Sequence, residues 1–188
     1  SDIHAGGVDL AFPHHENEIA QSEALTGKPF VRYWLHAEHL LVDNQKMSKS
    51  LKNFYTLRDL LEKGYAPEAI RFLLSSVHYR KQLNFTFDGL KQAVATIERL
   101  KNFIFRLTSA EMPDGVNEEI QKKAAGFSAA FRDAMDDDLN TAGAHGVLFE
   151  LVRDANTAID AGTLRKGNVE ALLAAIKEWR SEEHTSEL

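Results

Sequence analysis

The sequence predicts a short α/β segment, residues 1–55, followed by a mostly α-helical region. Three observations predict it. Aromatic and β-branched stretches bounded by Gly, Asn and Asp turns fall within the first 55 residues. Apolar residues at 3- and 4-residue spacing set in after Thr56 and persist. Between the two lies a lysine-rich pentapeptide, Lys46-Met47-Ser48-Lys49-Ser50, with too many small polar residues for a buried strand.

The chain begins Asp2-Ile3-His4-Ala5-Gly6-Gly7-Val8-Asp9, which reads as a strand end running into a glycine turn. Paired glycines let a backbone approach a ligand closely, and in an α/β sheet ligands lie at the carboxyl ends of strands. Phe12-Pro13-His14-His15-Glu16-Asn17-Glu18 then opens a helix at Pro13 that runs to about Thr26, with Gly27 as its stop. Ile19, Ala20, Ala24 and Leu25 give it a narrow buried stripe. His14 and Glu18, at i and i+4, share a face. An imidazole and a carboxylate so spaced can bind zinc or simply cap and hydrogen-bond, and the spacing places no third ligand. His15 and Glu16 point elsewhere. Strands are expected near Tyr33–His36 and Leu40–Val42, paired as a hairpin or as neighbours, with His36 and His39 as weak ligand candidates.

Val42-Asp43-Asn44-Gln45 reads as a strand end and turn that delivers the lysine loop. Two ammonium groups and two hydroxyls on a loop suit polyphosphate chemistry, although a solvated surface loop has the same composition. Thr56-Leu57-Arg58-Asp59 has the form of a capping box, Gly64 closes that helix, and Pro67 starts another with Ile70, Leu73 and Leu74 inward. Val77 to Gln82 is a polar, basic connection. Asp88 is expected to cap a long helix to about Thr108, with Leu90, Val94, Ile97, Leu100, Ile104 and Leu107 inward. A Pro/Gly linker follows, then helices near 117–135, 140–161 and 168–179.

At 188 residues, 44% apolar and 27% charged, the composition is that of a soluble globular protein able to bury a sizeable core. No apolar run is long enough to span a bilayer as a helix, and the first residues do not read as a signal peptide. With no cysteine, disulfides and cysteine chemistry are excluded within the chain. A net charge of −6 argues against unselective nucleic-acid binding, yet Lys46 to Arg106 carries 12 Lys/Arg against 5 Asp/Glu. Such a basic middle can present a local phosphate-binding face, or merely solvated helix lysines.

Asp2 to Leu10, Phe12 to Gln21 and Lys46 to Ser50, in this order, resemble the second half of the catalytic domain of cysteinyl-tRNA synthetases, a class I aminoacyl-tRNA synthetase family. The likeness continues through Asn53-Phe54, Arg71-Phe72 and His78-Tyr79-Arg80. It extends into Asp136-Asp137-Asp138-Leu139-Asn140-Thr141, which is similar to the start of that family's helical tRNA-binding domain. The resemblance implies a remnant of a Rossmann-like nucleotide-binding domain (1–55), a helical stem-contact region (56–112) and a DALR-like helical tRNA-binding bundle (113–179). It implies one zinc ion, with His14 and Glu18 as two ligands and two cysteines lying upstream. Lys46 and Lys49 would be catalytic, Lys49 also binding ATP, with Ser48 and Ser50 holding the loop. Gly6, Gly7 and Asp9 would lie near the adenosine, and His4 near the amino acid. The implied partners are ATP with Mg, L-cysteine and tRNA-Cys, for a cytoplasmic monomer.

Against the family pattern, the His-x-Gly-His signature and both cysteine ligands do not occur in this chain, so the chain alone is expected not to activate cysteine. Three readings follow: a piece of a cysteine–tRNA ligase, an ATP-dependent cysteine ligase acting on an amino sugar, or a non-catalytic helical RNA-binding module. Residues 180–188 have no amphipathic period and are similar to the translation of a sequencing adapter, hence a non-native tail.

Overall fold

A computed structural model describes residues 1–183; residues 184–188, most of the expected non-native tail, lie outside the described residues. The chain divides into two compact units, Ser1–Leu90 and Lys91 onward.

The first unit begins with β1 (Ile3–Gly7), a 3-10 turn (Val8–Leu10), a π turn (Ala11–His15) and α1 (Glu16–Thr26), ending at Gly27 with φ 64°. β2 (Tyr33–Ala37) then lies parallel to β1, with His4 opposite Trp34 and Gly6 opposite His36. Parallel pairing needs a crossover, and α1 supplies it. β2 does not pair with the next strand, contrary to the hairpin or neighbouring pair expected, because the two fall in separate sheets. That strand, β3 (Leu41–Val42), pairs antiparallel with β4 (Gln45–Lys46) and parallel with β5 (Asn84–Phe85), which sequence pattern did not reveal. Asp43 and Asn44, at φ 49° and 62°, make the two-residue turn between β3 and β4.

Around this second sheet sit α2 (Leu57–Glu62) and α3 (Pro67–Ser75). The Thr56/Asp59 capping box is present. Val42, Leu60, Ala69, Ile70, Leu73, Phe85 and Leu90 form the buried core. Leu74, expected inward, is 50% exposed and helps to line a cavity. The α1 stripe is likewise not buried: Ala20 and Ala24 are exposed and Leu25 is 87% exposed, and Ile19 is only half-buried. Helix α4 (Phe87–Ser109) starts one residue before Asp88, because the Thr86 hydroxyl accepts from the Gly89 N–H (2.9 Å) and takes the capping role.

The second unit holds the rest of α4, then α5 (Glu118–Asp136), α6 (Thr141–Asp160) and α7 (Lys166–Glu183). α7 thus continues through Arg180. Asn117 and Asn140 cap α5 and α6 with their side chains. Phe103, Phe127, Phe131, Leu148, Ala155, Leu172, Ile176 and Trp179 are buried, Phe103 in addition to the inward positions read from the sequence. Fully buried Asn168 accepts from the Asn117 N–H (2.9 Å) and donates to its C=O (3.0 Å), so no amide is left unpaired at that joint. Among the described residues, no helix is long and apolar enough to cross a membrane.

Candidate functional site

Two groups of functional side chains stand in the first unit. The first gathers on Glu18, in the first turn of α1. His4 Nε2 lies 3.0 Å from Glu18 Oε2, His14 Nε2 3.6 Å from Oε1, and His15 Nε2 4.0 Å from Oε2. One carboxylate is therefore shared between His14 on one oxygen and His4 with His15 on the other. His15 was expected to point away, yet it is 3% exposed. The π turn before α1 swings its ring inward, and His15 and Glu18 at i,i+3 are helix-face neighbours as much as an i,i+4 pair. Gly6 permits this: a Cβ there would meet His15 Cε1 at 2.8 Å.

His15 Nδ1 shares a hydrogen bond with His36 Nε2 at 2.8 Å, so His36 belongs to the site through His15. Trp34 packs against His4, His15 and His36, with ring centroids 5.0, 4.9 and 6.2 Å away. Burial foremost, then His4 and His36 beside it, holds the His15 imidazole below its ordinary value, which keeps it neutral and able to act as a ligand.

Glu18 Oε2 is buried and takes part in no hydrogen bond, so the His4 approach is a close contact rather than a bond. A buried carboxylate oxygen without a donor is suited to a cation. One nitrogen each of His4 and His15 and one Glu18 oxygen lie within 4.8 Å of one another. The His15–His36 bond fixes the second imidazole nitrogen, as outer partners of metal-binding histidines do. This donor set fits a divalent cation of the zinc type. Asp9 is 61% exposed and lies 4.0 Å from His39.

The second group is the lysine loop. Lys46 ends β4, opposite Leu41. Met47 enters an apolar cavity of about 190 Å³ that Leu40, Tyr55, Ile70 and Leu74 help to line. Ser48 Oγ and Ser50 Oγ lie 3.1 Å apart, and Ser48 Oγ accepts from the Leu51 N–H at 3.2 Å, so both hydroxyls hold the loop. Lys49 Nζ sits 5.8 Å from the centre of the Phe54 ring. Asn53 and Phe54 were legible only as part of a resemblance; their contacts give them a place in the site.

The structure is an α/β segment followed by helices, and comparison with known proteins specifies its family. The family model for the tRNA synthetases class I (C) catalytic domain matches residues 1–95, and that for the DALR domain matches residues 130–181. The chain belongs to the class I tRNA synthetase (C) catalytic-domain family. It is 58% identical over 180 residues to a cysteine–tRNA ligase of Solibacter usitatus, covering 96% of this chain and 39% of the relative. It is 54% identical over 178 residues to one from Koribacter versatilis, covering 95% and 36%. The chain thus spans under two fifths of these relatives' length. The fold is also that of part of the LeuRS of Agrobacterium radiobacter K84, solved in a ternary complex with tRNA and LeuAMS: TM-score 0.70, 17% identity, covering 97% of this chain and 26% of that one.

Proposed function

We propose that this chain is part of a cysteine–tRNA ligase, an enzyme that activates L-cysteine with Mg-ATP and transfers it to tRNA-Cys. The observation that carries the reading is identity of 54–58% to two cysteine–tRNA ligases across nearly the whole chain. Lys46 and Lys49 neutralise the charge that develops on pyrophosphate as the cysteine carboxylate attacks the α-phosphate. Gly6, Gly7 and Asp9 sit beside the adenosine, Gly7 being the position where a Cβ would meet Asp9 Oδ1 at 2.5 Å. His4 faces the amino acid. His14 and Glu18 would hold a zinc ion, with His4 and His15 against the same carboxylate. That ion's chemistry is preference for a thiolate over a hydroxyl, which separates cysteine from serine. The helical second unit would meet the tRNA, and the enzyme would work as a cytoplasmic monomer. The amino-sugar ligase and the non-catalytic RNA-binding module are not favoured, since the two relatives above are cysteine–tRNA ligases and a DALR domain follows the catalytic match.

A chimera tests this. The chain replaces the matched 180 residues of the Solibacter usitatus relative. The chimera is expected to charge tRNA-Cys with cysteine, and Lys49→Ala in it to lower ATP–pyrophosphate exchange by at least about 100-fold. A folded chimera that charges no tRNA-Cys would sink the reading. The isolated chain is expected to give no exchange above background.

A further inference from the structure

The lysine loop is closed on itself around one side chain. Asn53 Oδ1 accepts from the Ser48 N–H at 2.8 Å, and Asn53 Nδ2 donates to the Lys46 C=O at 3.2 Å. A single amide thereby joins the last strand residue of the loop to the residue between its two lysines. Inside that ring the Lys52 N–H donates to the Lys49 C=O at 3.2 Å, with Lys52 at φ 53°. The left-handed conformation is unfavourable for lysine and persists only where its surroundings impose it. An amide is the side chain suited to this position. It donates and accepts at a fixed separation, whereas an ionised carboxylate cannot donate.

We propose that Asn53 is a positioning residue of this site. Its amide sets the spacing of the Lys46 and Lys49 ammonium groups before a polyphosphate arrives. The inference rests on reading the loop as phosphate-binding, and it adds that lysine charge alone does not determine affinity. Both ends of the Asn53 amide are engaged by the loop backbone. It acts by removing backbone freedom that a ligand would otherwise have to restrict on binding. Without the amide, the two lysines remain but the tethers at the Lys46 C=O and the Ser48 N–H are lost together.

The test uses the whole chain, with inorganic pyrophosphate plus Mg as the probe, titrated calorimetrically. It is joined to amide hydrogen exchange at Ser48 and to the melting temperature. Asn53→Ala is expected to weaken pyrophosphate binding about tenfold and to raise Ser48 exchange by a similar factor. The melting temperature should change little. Asn53→Gln, with both groups on a longer stem, is expected to recover part of the affinity; a packing role would give no such recovery. If Lys49→Ala binds weakly while Asn53→Ala and Asn53→Gln bind like the wild type, the positioning role is overturned and the phosphate reading survives. If Lys49→Ala binds pyrophosphate as well as the wild type, the phosphate reading falls and the proposal with it. Unchanged Ser48 exchange in Asn53→Ala also overturns the clamp.

Discussion

The β1–α1–β2 layer and the helical second unit are built on opposite principles. Across β1, α1 and β2 no apolar side chain is buried, and the interior position belongs to His15. Ile3, Tyr33 and Leu25 are 64%, 62% and 87% exposed. In the second unit, by contrast, Phe103, Phe127, Phe131, Leu148, Leu172 and Trp179 all close on one another's helices, and even buried His145 accepts from Trp179 Nε1–H at 3.0 Å. The lesson is one of allocation. Imidazoles packed around Trp34 gather polar nitrogens at the cost of transfer free energy, while aromatic and aliphatic packing in the second unit supplies stability.

The largest expected effect lies in the helical unit. Phe131, 3% exposed and stacked on Phe127 at 5.6 Å, leaves a large void when truncated. Phe131→Ala is expected to cost about 3–5 kcal/mol. The chain's two tryptophans fall one in each unit, Trp34 and Trp179, so Trp34→Phe and Trp179→Phe backgrounds let fluorescence follow each unit in urea. The contrast breaks if Phe131→Ala shifts the Trp34 signal as far as the Trp179 signal.

Glu18→Gln should show the reverse pattern. Cobalt(II), read by its visible absorbance, is expected to bind at least about 10- to 100-fold more weakly, the range for damage to a metal site's supporting groups. Stability without metal should hold, because Glu18 Oε2 makes no hydrogen bond that the substitution would remove. Equal cobalt affinity in the two proteins would remove Glu18 from the site.

Smaller again is the capping box at the start of α2. Thr56→Ala is expected to cost about 1 kcal/mol. The Thr56 backbone N–H first, and its hydroxyl second, hold the Asp59 carboxyl below its ordinary value. A lowered folded-state value means the unfolded chain binds the extra proton. Its stabilisation is therefore present above about pH 3.9 and lost as pH falls through the folded-state value. Denaturation midpoints measured from pH 5 down to 2 should fall less steeply in Thr56→Ala, whose hydroxyl no longer supports the ionised form.

Much of this was legible in the chain itself. Helix boundaries with chemical punctuation came through: Thr56 with Asp59, Gly64, Pro67 and Gly27 all act where their residue types require. The Asp43-Asn44 turn did too, since both residues tolerate positive φ. Strand partners did not. β5 is two residues long and meets β3 across more than 40 residues of chain, a pairing that leaves no local periodicity. His14 and Glu18 were visible by spacing, whereas the inward turn of His15 depends on a π turn that has no composition of its own. Asn53 lies seven residues from the carbonyl it holds, so only the folded loop reveals the bond.

The finest distinction concerns Phe54, 42% exposed, with Lys49 Nζ 5.8 Å from its ring centre. An ammonium over an aromatic face at an exposed site gains about 0.5–1 kcal/mol. In the free loop that attraction holds Lys49 against the ring, and a phosphate must draw the ammonium away. Phe54→Leu keeps the apolar bulk and removes the quadrupole. It is therefore expected to raise pyrophosphate affinity by about two- to fivefold, the converse of Asn53→Ala. The gain should vanish in Lys49→Ala, where no ammonium is left to release, and a double-mutant cycle measures that coupling. If Phe54→Leu instead weakens binding, the ring presents Lys49 to the phosphate rather than restraining it, and Phe54 joins Asn53 in preorganising the loop.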